Sequence, residues 1–289
     1  MVMNTIDSIS AELQKALPKH FDLYYGGDWH TASGGYQETF NPANQQVLGS
    51  VAVANTSDID AVAQAAHKGF LSWVQVTATE KGKMLREIAS RLRLHVEELA
   101  LLDAANCGNP VKEMRRDVMI AASRIDYYAG LVHELKGETI PTDNGGLNYT
   151  VREPLGVVAR IVAYNHPLMF VAGKIAPSLA AGNSVIMKAP YQAPLSALRF
   201  AEIIDGILPP GVLNIVTGGQ ECGEALVRHP LVKKVALIGA VPTGAAARSD
   251  LLRPGRRRCR RRPAAVRQGR VRRLPRMRHP GPRLLAPAL

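Results

Sequence analysis

Cysteine is scarce in this chain. Cys107, Cys222 and Cys259 are the three in 289 residues, and they lie far apart. An odd number at such spacing argues against a disulfide framework and for a reducing compartment, and no Cys-x-x-Cys pair marks a zinc site. No metal is expected. Long apolar runs are also missing; none approaches the ~20 residues of a membrane-spanning helix. Residues 1–17 carry Asp7 and Glu12 where a secretory leader would place a basic stretch and an apolar core. These absences predict a cytoplasmic protein with no membrane partner.

Lys, Asp and Glu are absent from residues 251–289, which hold 14 Arg. Subtracting those 14 from the net charge of +12 leaves −2 for residues 1–250. The basic character that would point to nucleic acid therefore belongs to a tail. That tail has no aromatic residue for base stacking and no groove-reading motif, so only salt-sensitive, nonspecific phosphate contacts are expected of it. Arg and Pro alternate with Ala and Leu without a period of 2 or 3.6, which predicts a disordered segment over 251–289.

Residues before the tail show strong periodicity. A helix is expected from Ser57, with Asp58 and Asp60 in its first turn and Ile59, Val62, Ala66, Phe70 and Trp73 at helical spacing. A second is expected over Thr79–Cys107, stopped by Gly108-Asn109-Pro110, and a third over Val111–His133. The period then shortens. Thr139-Ile140 and residues 147–152 flank Asp143-Asn144-Gly145-Gly146, a hairpin signal. Strands are expected at 156–162, 184–188, 214–216 and 234–238, with helices at 167–181, 194–207 and 221–229 between them. This alternation predicts an α/β fold with a doubly wound parallel sheet.

Ligands in such sheets bind beyond the carboxyl ends of strands. Asn165 follows the first of these strands and precedes Pro167, a residue suited to the first helical turn. Its amide can donate to a developing oxyanion, or simply brace a turn. Lys188 closes an apolar strand, where it can meet a nucleotide or merely face solvent. Gly239 to Gly244 lead a strand into a helix start, and Gly218-Gly219 follow the preceding strand. Such turns can bring backbone N–H groups to a pyrophosphate, although glycines end strands for many other reasons. No Gly-x-Gly-x-x-Gly fingerprint occurs. Taken singly, each of these residues is better read as structural.

In this order the blocks say more. Phe40-Asn41-Pro42-Ala43-Asn44, Arg152-Glu153-Pro154-Leu155-Gly156-Val157-Val158, Tyr164-Asn165-His166-Pro167, Gly182-Asn183-Ser184-Val185-Ile186-Met187-Lys188, and Gly239 five residues before Gly244 resemble the aldehyde dehydrogenase superfamily. The resemblance covers roughly residues 20–250, about the first half of a family member. It implies an oxidoreductase that converts an aldehyde to a carboxylic acid with NAD or NADP as hydride acceptor. Residues 1–250 would be an incomplete, Rossmann-like cofactor domain with amino-terminal helices, 139–152 an oligomerisation hairpin, and the catalytic domain would be missing.

The same resemblance assigns roles. Asn165 matches the donor to the oxyanion. Ile161, Val162, Ala163 and Tyr164 match the stretch along the cofactor, and Lys188 the contact to the adenosine ribose or its phosphate. Gly218 or Gly219 matches a glycine near the adenine, while Gly239 and Ala240 match the pyrophosphate turn. His166 and Met169 are placed near a substrate entrance. Two positions depart from the family pattern. Tyr191 stands where members that prefer NAD often carry Glu, which leaves room for the 2′-phosphate of NADP. Ala240 stands where Ser is frequent.

The resemblance also implies a catalytic Cys and a general-base Glu, in a Gly-x-x-x-Cys-like and a Glu-Leu-Gly-Gly-Lys-like block. Neither block is found, so the chain as written is expected to be inactive and its native homo-oligomer lost. The alternatives are a non-catalytic dinucleotide-binding remnant and a nonspecific nucleic-acid binder with a basic tail. Cys259 lies among arginines that would activate it, yet too early and without the family context; Cys107 and Cys222 read as packing residues. The tail has the composition of GC-rich DNA read out of frame. Residues Arg267 to Arg276 can be encoded so that a one-base shift reads Gly-Lys-Asp-Ala-Phe-Val-Val-Cys-Pro, similar to a family strand. A frameshift near codon 250 is therefore expected.

Overall fold

The computed structural model describes residues 10–143 and 146–252. The chain opens with α1 (Ala11–Ala16), then β1 (Leu23–Tyr25), β2 (Asp28–His30), β3 (Tyr36–Phe40) and β4 (Val47–Ala52). Four helices follow: α2 (Thr56–Trp73), α3 (Ala78–Leu94), α4 (Val96–Cys107) and α5 (Val111–Gly130). The short strands β5 (Thr139–Ile140) and β6 (Asn148–Tyr149) come next. Then helix and strand alternate through β7 (Val157–Ile161), α6 (Pro167–Ala180), β8 (Ser184–Lys188), α7 (Leu195–Ile204), β9 (Leu213–Val216), α8 (Gln220–Arg228), β10 (Val232–Leu237) and α9 (Val241–Leu252).

The main sheet has the order β10-β7-β8-β9-β1-β2. Its four strands from β10 to β9 are parallel, while β1 runs antiparallel to both β9 and β2. The all-parallel expectation is thus corrected to a mixed sheet. The extra edge is a hairpin whose turn, Gly26-Gly27, has φ of 66° and 86°. Positive φ at both central residues gives a turn whose twist matches the flanking strands. The Gly26 N–H then donates to Asn214 Oδ1 at 3.1 Å, tying the turn to β9.

Apolar alternation in the central strands builds a core on each face. Val162, Val185, Met187 and Ile215 face one cluster with α3–α7, and Val157, Ala159, Ile186 and Val216 face another with α2 and α8. Close approach is enforced where α2 crosses the loop before β9: a Cβ on Gly69 would lie 2.1 Å from the Gly211 carbonyl carbon.

Several helix boundaries differ from expectation; α5 ends at Gly130 where His133 was expected, and α7 ends at Ile204 where 207 was expected. The cap of α2 is Asn55, not Ser57. Its Oδ1 accepts from the N–H groups of Ser57 and Asp58, and Asp58 Oδ2 accepts from the Asn55 N–H at 2.9 Å, a reciprocal capping box. The helix expected over 79–107 is two helices. They meet at His95, whose backbone (φ −108°, ψ 20°) leaves the helical region and whose Nδ1 lies 2.9 Å from Glu98 Oε1. Leu94, just before the break, is exposed. The expected stop at Gly108 is present as a left-handed residue with φ 83°.

Buried polar side chains of α4 organise the next layer. Asp103 Oδ2 accepts from the Leu168 N–H at 3.1 Å, and Asn106 Oδ1 accepts from the Leu195 N–H at 3.2 Å. Each satisfies a backbone donor in the first turn of a helix that has no side-chain cap of its own, α6 and α7 respectively. The hairpin expected over 139–152 forms as β5 and β6, paired Thr139 to Tyr149 and Ile140 to Asn148, with exposed faces; Asn144 and Gly145 lie outside the described residues. The disordered tail expected over 251–289 is corrected at its start, since residues 251 and 252 close α9; from residue 253 onward it lies outside the described residues. Among the described residues, no helix is long and apolar enough to cross a membrane.

Candidate dinucleotide site

The chain runs from β7 to β8 to β9 in one direction across the sheet, then returns through α8 to place β10 on the other side of β7. In sheets of this kind ligands bind beyond the carboxyl ends of the strands at such a reversal, here between β7 and β10. Four residues form one register row at that rim: Leu237 pairs with Ile161, Ile161 with Lys188, and Lys188 with Val216. Side chains paired across adjacent strands share a face. Here it is the α2–α8 face, because the Lys188 side chain passes α8: a Cβ on Gly223 would sit 3.8 Å from Lys188 Cε.

Lys188 is 6% exposed, and burial pushes its ammonium below the usual lysine range. It makes no ion pair with a carboxylate among the described residues. A buried cation without a carboxylate partner is costly, and an incoming anion or hydroxyl relieves that cost.

Glycines continue the rim. Gly218 has φ 148°, and a Cβ there would lie 2.9 Å from Cys222 Cβ and 3.2 Å from the Ala54 N, so no larger residue fits. A Cβ on Gly219 would lie 3.7 Å from the exposed Tyr191 ring, which therefore stands over this turn. Gly239 and Ala240, both exposed, link β10 to α9. The structure thus brings Ile161, Lys188, Tyr191, Gly218, Gly219, Gly239 and Ala240 to one end of the sheet.

The β7–α6 turn supplies the rest. Ala163 is half-buried, and Tyr164 and Asn165 are exposed. The Asn165 carbonyl accepts from Asn109 Nδ2 at 2.6 Å, which fixes the backbone while its own amide makes no hydrogen bond among the described residues. Val162 does not join the row; its side chain packs into the α3–α7 core, leaving only its backbone at the rim. His166 Nδ1 lies 2.6 Å from Asp117 Oδ2, which anchors the turn to α5, and Met169 is half-buried beyond it.

The thiols are poor nucleophiles. Burial pushes Cys107 up to about 11 and Cys222 up to about 12, so both are protonated at neutral pH. Cys222 packs in the α2–α8 core, and Cys107 is half-buried with its Sγ 3.8 Å from Met114 Sδ. Cys259 lies outside the described residues. Arg124, Arg160 and Lys174, which the sequence did not single out, line one groove on the α5–α6 side of the sheet. The signal available was Arg160, a lone charge in the apolar strand β7.

Comparison with known proteins places the chain. Residues 29–253 match the aldehyde dehydrogenase family. Aldehyde dehydrogenase tropH of Talaromyces stipitatus is 51% identical over 236 residues, which are 80% of this chain and 46% of that protein. The structure of aldehyde dehydrogenase from Bacillus cereus in complex with NAD+ superposes with a TM-score of 0.80 at 34% identity, covering 84% of this chain and 51% of that one. An NADP-dependent enzyme from E. coli gives 0.79 at 30% identity, with 82% and 50% covered. The chain spans about half the length of the relatives it matches. With a match this extensive and this α/β architecture, the protein belongs to the aldehyde dehydrogenase family.

Proposed function

We propose that the rim of β7, β8, β9 and β10 holds NAD or NADP, and that the whole protein oxidises an aldehyde to a carboxylic acid. The observation that carries this reading is Lys188, a buried ammonium with no carboxylate partner, in register with three other strand ends. The residues present suit a dinucleotide. Lys188 offers a charge to the ribose hydroxyls or a phosphate, and Gly218-Gly219 allow close backbone approach. Gly239 and Ala240 stand at the first N–H groups of α9. Tyr191 over Gly219 presents no carboxylate to repel a 2′-phosphate, so both nucleotides are accommodated.

A bound dinucleotide supplies the hydride acceptor. The chain's own contribution is to place and stabilise. Asn165, held through its carbonyl by Asn109, directs a free amide toward an oxyanion that forms when an aldehyde carbonyl is attacked. The oxidation requires a thiolate nucleophile and a base for water. Cys107 and Cys222 are protonated, and residues 1–289 contain neither family block named above. The 289 residues taken alone are therefore proposed to bind dinucleotide without turning over aldehyde. In this reading residues 1–250 are the cofactor unit and the β5–β6 hairpin is the first part of an oligomer contact.

Calorimetric titration of the 289-residue protein with NAD+ and NADP+ tests the binding claim, and an aldehyde-dependent NADH assay tests the other. Saturable binding with no Cys-dependent turnover is expected. Absence of binding by folded protein overturns the cofactor assignment; a Cys-dependent rate overturns the claim of inactivity.

A further inference from the structure

Residues 165–168 are held at three points by α4, α5 and the turn between them. Asn109 Nδ2 donates to the Asn165 carbonyl at 2.6 Å, Asp117 Oδ2 lies 2.6 Å from His166 Nδ1, and Asp103 Oδ2 accepts from the Leu168 N–H at 3.1 Å. Two of these three holds are carboxyls, and both are buried. The Asp103 hold is half made. Its second oxygen, Oδ1, is buried without a hydrogen-bond partner, as is the hydroxyl of Ser196, which α7 brings near it.

Four helices pack on α4 around Asp103. α5 contributes the charge of Asp117 and α6 the imidazole of His166, while α7 contributes the neutral Ser196 and α1 turns Leu13 and Ala16 inward. One turn along α4 lies Cys107, whose thiol is pushed up to about 11 by burial, with both carboxyls adding to it. Two carboxyls thus share one imidazole. A second buried carboxylate with open lone pairs is costly, so the cluster favours keeping a proton on Asp103. Burial first, and the Asp117 charge after it, lift Asp103 to about 7, against the Leu168 hydrogen bond.

Breaking the Leu168 contact admits water to the carboxyl, which then ionises near its ordinary value of about 4. The closed turn therefore binds a proton that the open turn releases. By linkage, opening becomes easier as pH rises from about 4 to about 7 and levels off above that.

We infer that Asp103, Asp117 and His166 form a proton-operated latch on the β7–α6 turn, closed when the cluster holds its extra proton and loosened when that proton leaves. The inference rests on the reading of this turn as the carrier of Asn165 at the aldehyde site, and it adds regulation: acid tightens the turn and alkali frees it.

Hydrogen exchange of residues 163–170 in the 289-residue protein reads the latch. Protection, corrected for the intrinsic pH dependence of exchange, is expected to fall at least tenfold from pH 5 to pH 8 in wild type. It should fall less than twofold in Asp103→Asn, whose amide oxygen still accepts from Leu168. Low concentrations of urea should leave the exchange unchanged, the mark of local opening. The Asp103 carboxyl carbon, followed by NMR in wild type, should titrate with the same midpoint as the loss of protection, so the test survives a variant that fails to fold. Protection independent of pH, two distinct midpoints, undiminished pH dependence in folded Asp103→Asn, or exchange with the urea dependence of global unfolding overturns the inference. NAD+ titration of the same samples separates the two claims. NAD+ binding with protection independent of pH sinks the latch alone, and a pH-dependent turn without NAD+ binding at any pH sinks the cofactor assignment alone.

Discussion

Asp103 Oδ2 accepts the backbone N–H of Leu168 at 3.1 Å, across 65 positions of sequence. The carboxyl is fully buried, and burial lifts it to about 7, against the stabilising effect of that hydrogen bond. A raised carboxyl favours the protonated native state. Its contribution to stability is complete below the unfolded value near 4 and is lost as pH rises through about 7. Asp103→Asn keeps an acceptor for Leu168 and removes the charge. Urea unfolding at pH 4.5 and pH 8 should show wild type losing stability relative to this variant, by up to ~4 kcal/mol. A difference that does not change with pH would contradict the assignment.

Lys188→Ala should leave the fold intact and weaken dinucleotide binding about 10- to 100-fold, the loss of ~1.5–3 kcal/mol expected for a charge-assisted hydrogen bond. Calorimetry reads the affinity, and far-ultraviolet circular dichroism checks the fold. An unchanged affinity would remove Lys188 from the site.

Tyr191→Glu tests nucleotide choice. A carboxylate beside Gly219 repels a 2′-phosphate and accepts from ribose hydroxyls. The ratio of NADP+ to NAD+ affinity should fall at least tenfold, roughly 1.4 kcal/mol of added discrimination. Parallel changes in both affinities would show that Tyr191 does not face the ribose.

Gly69→Ala puts a methyl group 2.1 Å from the Gly211 carbonyl carbon, where backbone and not a flexible side chain must move. A loss of ~2–4 kcal/mol is expected in urea unfolding, at or above the usual range for overpacking. A loss under ~0.5 kcal/mol would mean that α2 can shift on the loop.

Cys107 and Cys222 should resist modification. In a Cys259→Ser background at pH 8, Ellman's reagent should react slowly with folded protein and fully after denaturation, following the raised thiols. Immediate stoichiometric reaction of the folded form would show that one thiol is accessible and activated.

Local pattern made the central strands legible. Residues 184–188 form an apolar run between Gly182-Asn183 and Ala189-Pro190, and β8 occupies that stretch. The strands of the first 52 residues gave no such signal. β1 and β2 have three residues each, and the β1 partner, β9, lies far along the chain. The break at His95 was hidden because neither Gly nor Pro marks it. At the candidate site, Lys188 read as an ordinary strand-end lysine, and its burial comes from α8, which local sequence does not reveal. The cation groove draws on α5, β7 and α6 together, so no single segment displays it.

The β1–β2 edge has a consequence for biosynthesis. The contact that ties its turn to the sheet, Gly26 to Asn214, joins residues 188 positions apart. A ribosome adding about 5–20 residues per second reaches that partner roughly 10–40 s after Gly26 is made. Over that interval the hairpin has no sheet to join, and an open strand edge is the kind of surface chaperones protect. Slowed translation between β1 and β9 should therefore lengthen chaperone association before it alters the finished protein.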